Sequence, residues 1–141
     1  MPTRPRVLLA DDHRGVVKAL ERVLSLECDV VGTVADGSKV AEAAARLQPV
    51  VTVVDLNLPN ISGLEVCRSI LRTNPRAKVI LITVMIDDEI RTGALAAGAS
   101  GCFSKLDAAN ELIDAIRAAW AECFKRSAEI RFDPFSATTR S

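Results

Sequence analysis

VVTVVDLNLPNISG, residues 50–63, opens as a run of valines and changes character at a single residue. Val50, Val51, Val53 and Val54 are β-branched and nearly uninterrupted, the pattern of a parallel strand covered on both faces. Asp55 stands where that strand stops, and Leu56, Asn57, Leu58, Pro59 and a polar stretch to Gly63 follow. The carboxylate has two readings. It can open an Asx-type turn ahead of Pro59, or it can be a functional group delivered to the edge of a sheet.

Working outward, the same apolar, β-rich texture recurs at "RVLLA" (6–10), "DVVGTVA" (29–35), "KVILIT" (78–83) and "GCFS" (101–104). Helical patterns lie between these runs. Val17, Leu20, Val23 and Leu24 share one face of the first, and "SKVAEAAARL", "GLEVCRSILR", "DDEIRTGALAAG" and "ANELIDAIRAAWAECF" follow in turn. In the last of these Leu112, Ile113, Ile116 and Trp120 recur at helical spacing, so Trp120 reads as core or interface filler. Gly37-Ser38, Gln48-Pro49 and Asn74-Pro75 punctuate the pattern where helices should begin or end. Strict alternation of strand and helix predicts an α/β fold with a doubly wound parallel sheet, helices on both faces and right-handed crossovers.

Bulk composition narrows the class. A chain of 141 residues, 49% hydrophobic and 26% charged, has the size and texture of one globular domain. Eighteen basic residues balance eighteen acidic ones, so no net field favours nucleic acid or an anionic membrane. No apolar stretch approaches a membrane span, and "MPTRPRVLLADD" lacks the long apolar core of a signal peptide, so a cytoplasmic location is expected. Cys28, Cys67, Cys102 and Cys123 have no paired spacing and read as free thiols in a reducing compartment. The only histidine, His13, is far from all four in sequence, which does not suit a zinc site.

In an open parallel sheet, ligands bind beyond the carboxyl ends of the strands. Asp11 and Asp12 follow the first strand, Asp55 the third, Thr83 ends the fourth and Lys105 follows the fifth. Each alone has a plain structural reading. The aspartates could cap a helix or a turn, Thr83 could be one more strand residue, and Lys105 a solvated charge. Their conjunction on one sheet edge decides for function. Three carboxylates brought together repel one another, and a hard divalent cation such as Mg2+ relieves the repulsion while keeping waters and phosphate oxygens in its shell. One aspartate can then act as a nucleophile on phosphorus, with the Lys105 ammonium and the Thr83 hydroxyl neutralising the phosphoryl oxygens. His13 reads as an incidental surface histidine beside the acids.

These residues resemble the receiver domain of bacterial two-component response regulators. The match rests on "DD" after the first strand, "DLNLPNISG" after the third, "IT" ending the fourth and "GASGCFSK" around the fifth. It covers residues 5–125 as a receiver domain, and "GASG" with "LDAANELIDAIRAAW" looks most like the NarL/FixJ subfamily. The resemblance implies a flavodoxin-like (CheY-like) sheet of order 2-1-3-4-5. It implies that Asp55 is the phosphoacceptor, served by a sensor histidine kinase or phosphotransfer protein, and that Thr83 and Lys105 contact the phosphoryl group. Asp11, Asp12 and Asp55 would hold Mg2+, with the backbone carbonyl of Asn57 completing the protein ligands. The implied output is transcription through a C-terminal helix-turn-helix. Residues 126–141 read as a linker or disordered tail with that output domain absent, so no direct contact of this chain with nucleic acid or membrane is expected. A phosphorylation-dependent homodimer is a further implied partner. A stand-alone receiver acting by protein–protein interaction or as a phosphorelay intermediate is the alternative.

The chain departs from the receiver pattern in places. Cys102 occupies the position, three before the lysine, where receivers usually carry a switch Tyr or Phe, and Phe103 beside it should face the other way. Leu106 stands where many receivers have proline. Gly93 and Gly98 fall in the fourth helical pattern at about 1 kcal/mol each relative to Ala, which predicts a weakly held, shifting helix. A haloacid-dehalogenase-like phosphatase would share the nucleophile, Mg2+, Thr and Lys. It would want an Asp where this chain has Asn57, so the expected role is a switch that at most assists its own phosphotransfer and hydrolysis.

Overall fold

The computed structural model describes residues 4–105 and 109–131. Leu106 and the end of the expected tail, residues 132–141, lie outside the described residues. Five strands alternate with five helices: β1 (Arg6–Ala10), α1 (Arg14–Leu24), β2 (Asp29–Val34), α2 (Val40–Leu47), β3 (Val51–Asp55), α3 (Gly63–Thr73), β4 (Lys78–Thr83), α4 (Asp88–Ala96), β5 (Gly101–Ser104) and α5 (Ala109–Arg131). A single 3-10 turn, Gly37–Lys39, leads into α2. All neighbouring strands run parallel, in the order β2-β1-β3-β4-β5. That is the expected doubly wound sheet.

Alternation along each strand divides the core in two. Leu8, Ala10, Val54, Val79, Leu81 and Cys102 pack with residues of α2, α3 and α4. Val7, Leu9, Val51, Val53, Ile80 and Ile82 pack on the opposite face with Leu20 and Leu24 of α1 and Leu112, Ile113 and Ile116 of α5. β3 lies between β1 and β4, and all of Val51–Asp55 is buried, which is why its sequence carries no polar alternation. Phe103 packs on the α1/α5 face and Cys102 on the other, so the aromatic and the cysteine point oppositely.

Three details differ from the sequence reading. The fourth helical pattern was expected to include Gly98, but α4 stops at Ala96 and Gly98 adopts φ +95 beyond it. The Gly98 N–H donates to Leu95 O and the Ala99 N–H to Ala94 O, a Schellman closure that a left-handed glycine completes. Gly98 therefore terminates the helix instead of weakening it. Helix α5 also continues to Arg131, past residue 125 where the apolar period fades. Lys125, Arg126, Ala128 and Glu129 are good helix formers, so propensity carries the backbone on after amphipathicity ends. Third, the valine run enters the sheet at Val51, one residue later than Val50, and includes Asp55.

The cysteines agree with the free-thiol reading. All four are unpaired, and burial pushes the Cys67 thiol up to about 11, where it stays protonated and donates to Ala97 O.

Candidate functional site

The carboxyl ends of β1, β3 and β5 bring the polar residues together. Asp11 follows Ala10 and is held by a backbone bond from its N–H to Val34 O of β2. Asp55 is the last residue of β3, with its side chain 1% exposed, and Asp11's is 0% exposed. Lys105, just past β5, reaches both: its Nζ lies 2.7 Å from Asp11 Oδ2 and 2.9 Å from Asp55 Oδ2. Its N–H donates to Thr83 O, tying the end of β5 to the end of β4. Burial works against the Lys105 ammonium. Hydrogen bonds to Asp11 and Asp55, and their negative charges, outweigh it and raise its pKa above the ordinary lysine value. The ammonium is thus firmly charged and serves as counter-ion to two sealed carboxylates.

Thr83 is buried at the end of β4, and Asp12 sits at the rim of the acidic group, more exposed than Asp11 and Asp55. A cleft of about 330 Å3 opens beside Asp11 and Asp12, lined also by Arg14, Lys18 and Glu21 of α1.

The plain structural readings of the aspartates hold in part. Asp55 Oδ1 accepts the Asn57 N–H at 3.1 Å, the Asx turn anticipated for it, while Oδ2 faces Lys105. Asp11 Oδ1 accepts the His13 N–H at 2.9 Å, but the N-cap of α1 is His13, not an aspartate. Each buried carboxylate uses one oxygen to shape its loop and turns the other inward.

Sequence reasoning missed His13. Its Nδ1 lies 3.0 Å from Asp11 Oδ1, 3.4 Å from Asp12 Oδ1 and 3.7 Å from Asp55 Oδ2. Asp11, Asp12, His13 and Asp55 each offer a ligand atom, all within 4.8 Å of one another. The available signal was its position, directly after two aspartates at the turn into a helix.

The β3–α3 loop that follows Asp55 is fixed by close backbone approach. A Cβ on Gly63 would land on the Asp55 carbonyl oxygen and 2.7 Å from Leu56 Cα, and the Gly63 N–H donates to Leu56 O. A Cβ on Gly37 would strike the Ile61 carbonyl, and the Gly37 N–H donates to Pro59 O. Asn60, at φ 72, hydrogen-bonds Asp36, which with Ser38 holds the Asp36 carboxyl below its usual range. The β2–α2 turn thereby clamps the loop next to Asp55.

The model of the family described as the response regulator receiver domain matches residues 7–117. The chain belongs to that family. The response regulator GacA of Pseudomonas protegens is 38% identical over 120 residues, 82% of this receiver chain and 55% of GacA. The transcriptional regulatory protein LiaR of Bacillus subtilis is 38% identical over 116 residues, 81% of the chain and 55% of LiaR. Among solved structures, the signal receiver domain of the NarL response regulator from Mycobacterium tuberculosis is similar with TM-score 0.77 at 30% identity, covering 84% of this chain and 98% of that one. A LuxR-family two-component response regulator from Aurantimonas has TM-score 0.80 at 30% identity, covering 84% and 86%. The chain spans about half the length of the curated relatives it matches.

The receiver is a signalling domain of a two-component response regulator, not a classical enzyme, and its relatives include transcription regulators. Receiver domains bind Mg2+ at an acidic pocket and interact with histidine kinases or phosphotransfer proteins. Among the described residues no helix is long and apolar enough to cross a membrane.

Proposed function

We propose that this receiver is a phosphorylation switch in which Asp55 accepts a phosphoryl group from a phosphohistidine of a sensor kinase or phosphotransfer protein. The observation that carries the reading is the reach of Lys105 across the sheet edge to both Asp55 and Asp11. An ammonium so placed is preorganised for the phosphoryl oxygens that arrive on Asp55.

The donor set fits a hard cation: carboxylates of Asp11, Asp12 and Asp55 converge, and the backbone carbonyl of Asn57 would supply a further oxygen. When bound, Mg2+ supplies positive charge that neutralises the acids and the transferred group. The chain's residues do the rest. An Asp55 carboxylate oxygen forms the new O–P bond as the P–N bond to the donor imidazole breaks. Lys105 keeps its charge throughout and exchanges carboxylate for phosphoryl oxygen. Thr83, at the end of β4, offers its hydroxyl to the same group. That contact would couple the site to the β4–α4 connection, where Val84 and Met85 are exposed. With Cys102 in place of an aromatic, the response would run through α4 itself. Phosphorylation would shift an existing equilibrium of α4 and reshape a surface for homodimerisation or output. By likeness to GacA and LiaR that output is control of transcription.

Incubating the chain with Mg2+ and a small acyl-phosphate donor tests the reading. The expected result is a mass gain of one phosphoryl group, lost in Asp55→Asn. No gain under conditions that label another receiver, or an undiminished gain in Asp55→Asn, would overturn it.

A further inference from the structure

His13 and Lys39 are the N-cap residues whose side chains cap no helix among the described residues, and of the two His13 is the one whose ring meets the acids. Asp36, Ser62 and Asp87 each accept a backbone N–H of the helical turn that follows, whereas His13 makes no side-chain cap bond to α1. Its ring turns away from the helix and into the acids. The Nδ1 atom stands 3.0, 3.4 and 3.7 Å from oxygens of Asp11, Asp12 and Asp55, and 3.3 Å from Lys105 Nζ. A ring nitrogen placed so meets every acidic member of the site at once. The His13 N–H bond to Asp11 Oδ1 pins the backbone from which the ring projects.

The chemistry of that donor set differs from an all-oxygen site. Carboxylates, carbonyls and waters suit Mg2+, while imidazole adds affinity for first-row transition ions and almost none for Mg2+. We propose that His13 Nδ1 is a fourth protein donor of the divalent site, replacing a water and biasing the site toward Mn2+ over Mg2+. The proposal rests on the cluster being the divalent-ion site of the switch. It goes beyond that reading in naming the nitrogen ligand and the ion it selects. The geometry needs little rearrangement, because the ligand atoms of the four residues already lie within 4.8 Å of one another. Lys105 would keep its contact with Asp55 and give up part of its contact with Asp11.

The test uses the full chain, His13→Ala and His13→Gln, with Mn2+ and Mg2+ titrated separately by calorimetry. Thermal melting confirms that the variants fold. The expected result is that both substitutions weaken Mn2+ binding about tenfold and leave Mg2+ binding within about twofold. Because His13 is the only histidine of the chain, electron spin-echo modulation of bound Mn2+ should show one directly coordinated nitrogen in the wild type and none in His13→Gln. An unchanged ratio of Mn2+ to Mg2+ affinity in both variants, or no nitrogen coupling in the wild type, would overturn the role of His13 while leaving the phosphoacceptor reading intact. Absence of any divalent binding to the wild type would overturn both.

Discussion

A single missing Cβ fixes how Asp55 is presented. Gly63 lies against the backbone of Asp55 and Leu56 more closely than any side chain permits, so α3 can begin directly beneath the end of β3. Gly63→Ala must push the β3–α3 loop outward, and overpacking of this kind typically costs about 1–3 kcal/mol. We expect urea unfolding to register that loss and the rate of phosphoryl gain on Asp55 to fall with it. Gly15→Ala, where an added Cβ meets nothing within 4 Å, should show neither effect and serves as the control. At this scale the sequence spoke clearly only where polarity was anomalous. Asp11, Asp55 and Lys105 could be found because charged groups directly after apolar strands have few structural reasons to be there. His13 could not, because the direction of its ring depends on the backbone turn at the α1 N-terminus, which no periodicity encodes. Nor could the Asp36–Asn60 clamp, whose members lie in two loops brought together only by the crossover of strands β1, β2 and β3.

Among the helices, α4 is the one least anchored by burial. Ala94 is its one buried residue, while α3 buries Gly63, Val66, Cys67 and Ile70, and Leu95 on α4 is exposed. Gly93 sits inside this helix with open space where a Cβ would go. Gly93→Ala should therefore stabilise the chain by about 0.5–1 kcal/mol through reduced backbone entropy of the unfolded state. Hydrogen exchange provides the local check: amide protection should rise across residues 88–96 and stay constant in α3. If protection in α4 does not change, the helix is held by tertiary contacts and not by propensity. The strands were the most readable elements. β1 and β4 occupy the segments their apolar runs mark out, since burial on both faces leaves an uninterrupted hydrophobic signature, while the edge strand β5 matches its run with only Cys102 buried. Helix ends were less readable, because they depend on individual hydrogen bonds. The Schellman closure at Gly98 ends α4 early, and α5 runs on past residue 125, where the apolar period fades.

Across the whole molecule, eighteen acidic and eighteen basic residues cancel, yet the carboxyl edge of the sheet gathers Asp11, Asp12 and Asp55 around one ammonium. Lys105 faces Asp11 and Asp55 directly, so Asp12, which meets the His13 ring at 3.4 Å, is the least compensated of the three. Like charges so close store repulsion that a divalent ion would relieve, and sites of this kind give up stability for function. Asp12→Asn removes one charge at nearly constant volume. Without divalent ions it should be more stable than the wild type by about 1 kcal/mol, raising the melting temperature by roughly 2–5 °C. Saturating Mg2+ should then raise the wild-type midpoint, because an ion that binds only the folded state stabilises it by mass action, and raise that of Asp12→Asn much less. Melting curves of both proteins, with chelator and with Mg2+, make the comparison. The order of stabilities should narrow or reverse between the two conditions. A variant less stable than the wild type in chelator would mean that Asp12 is held by favourable local contacts, and that the acidic edge carries no stored repulsion for a cation to release.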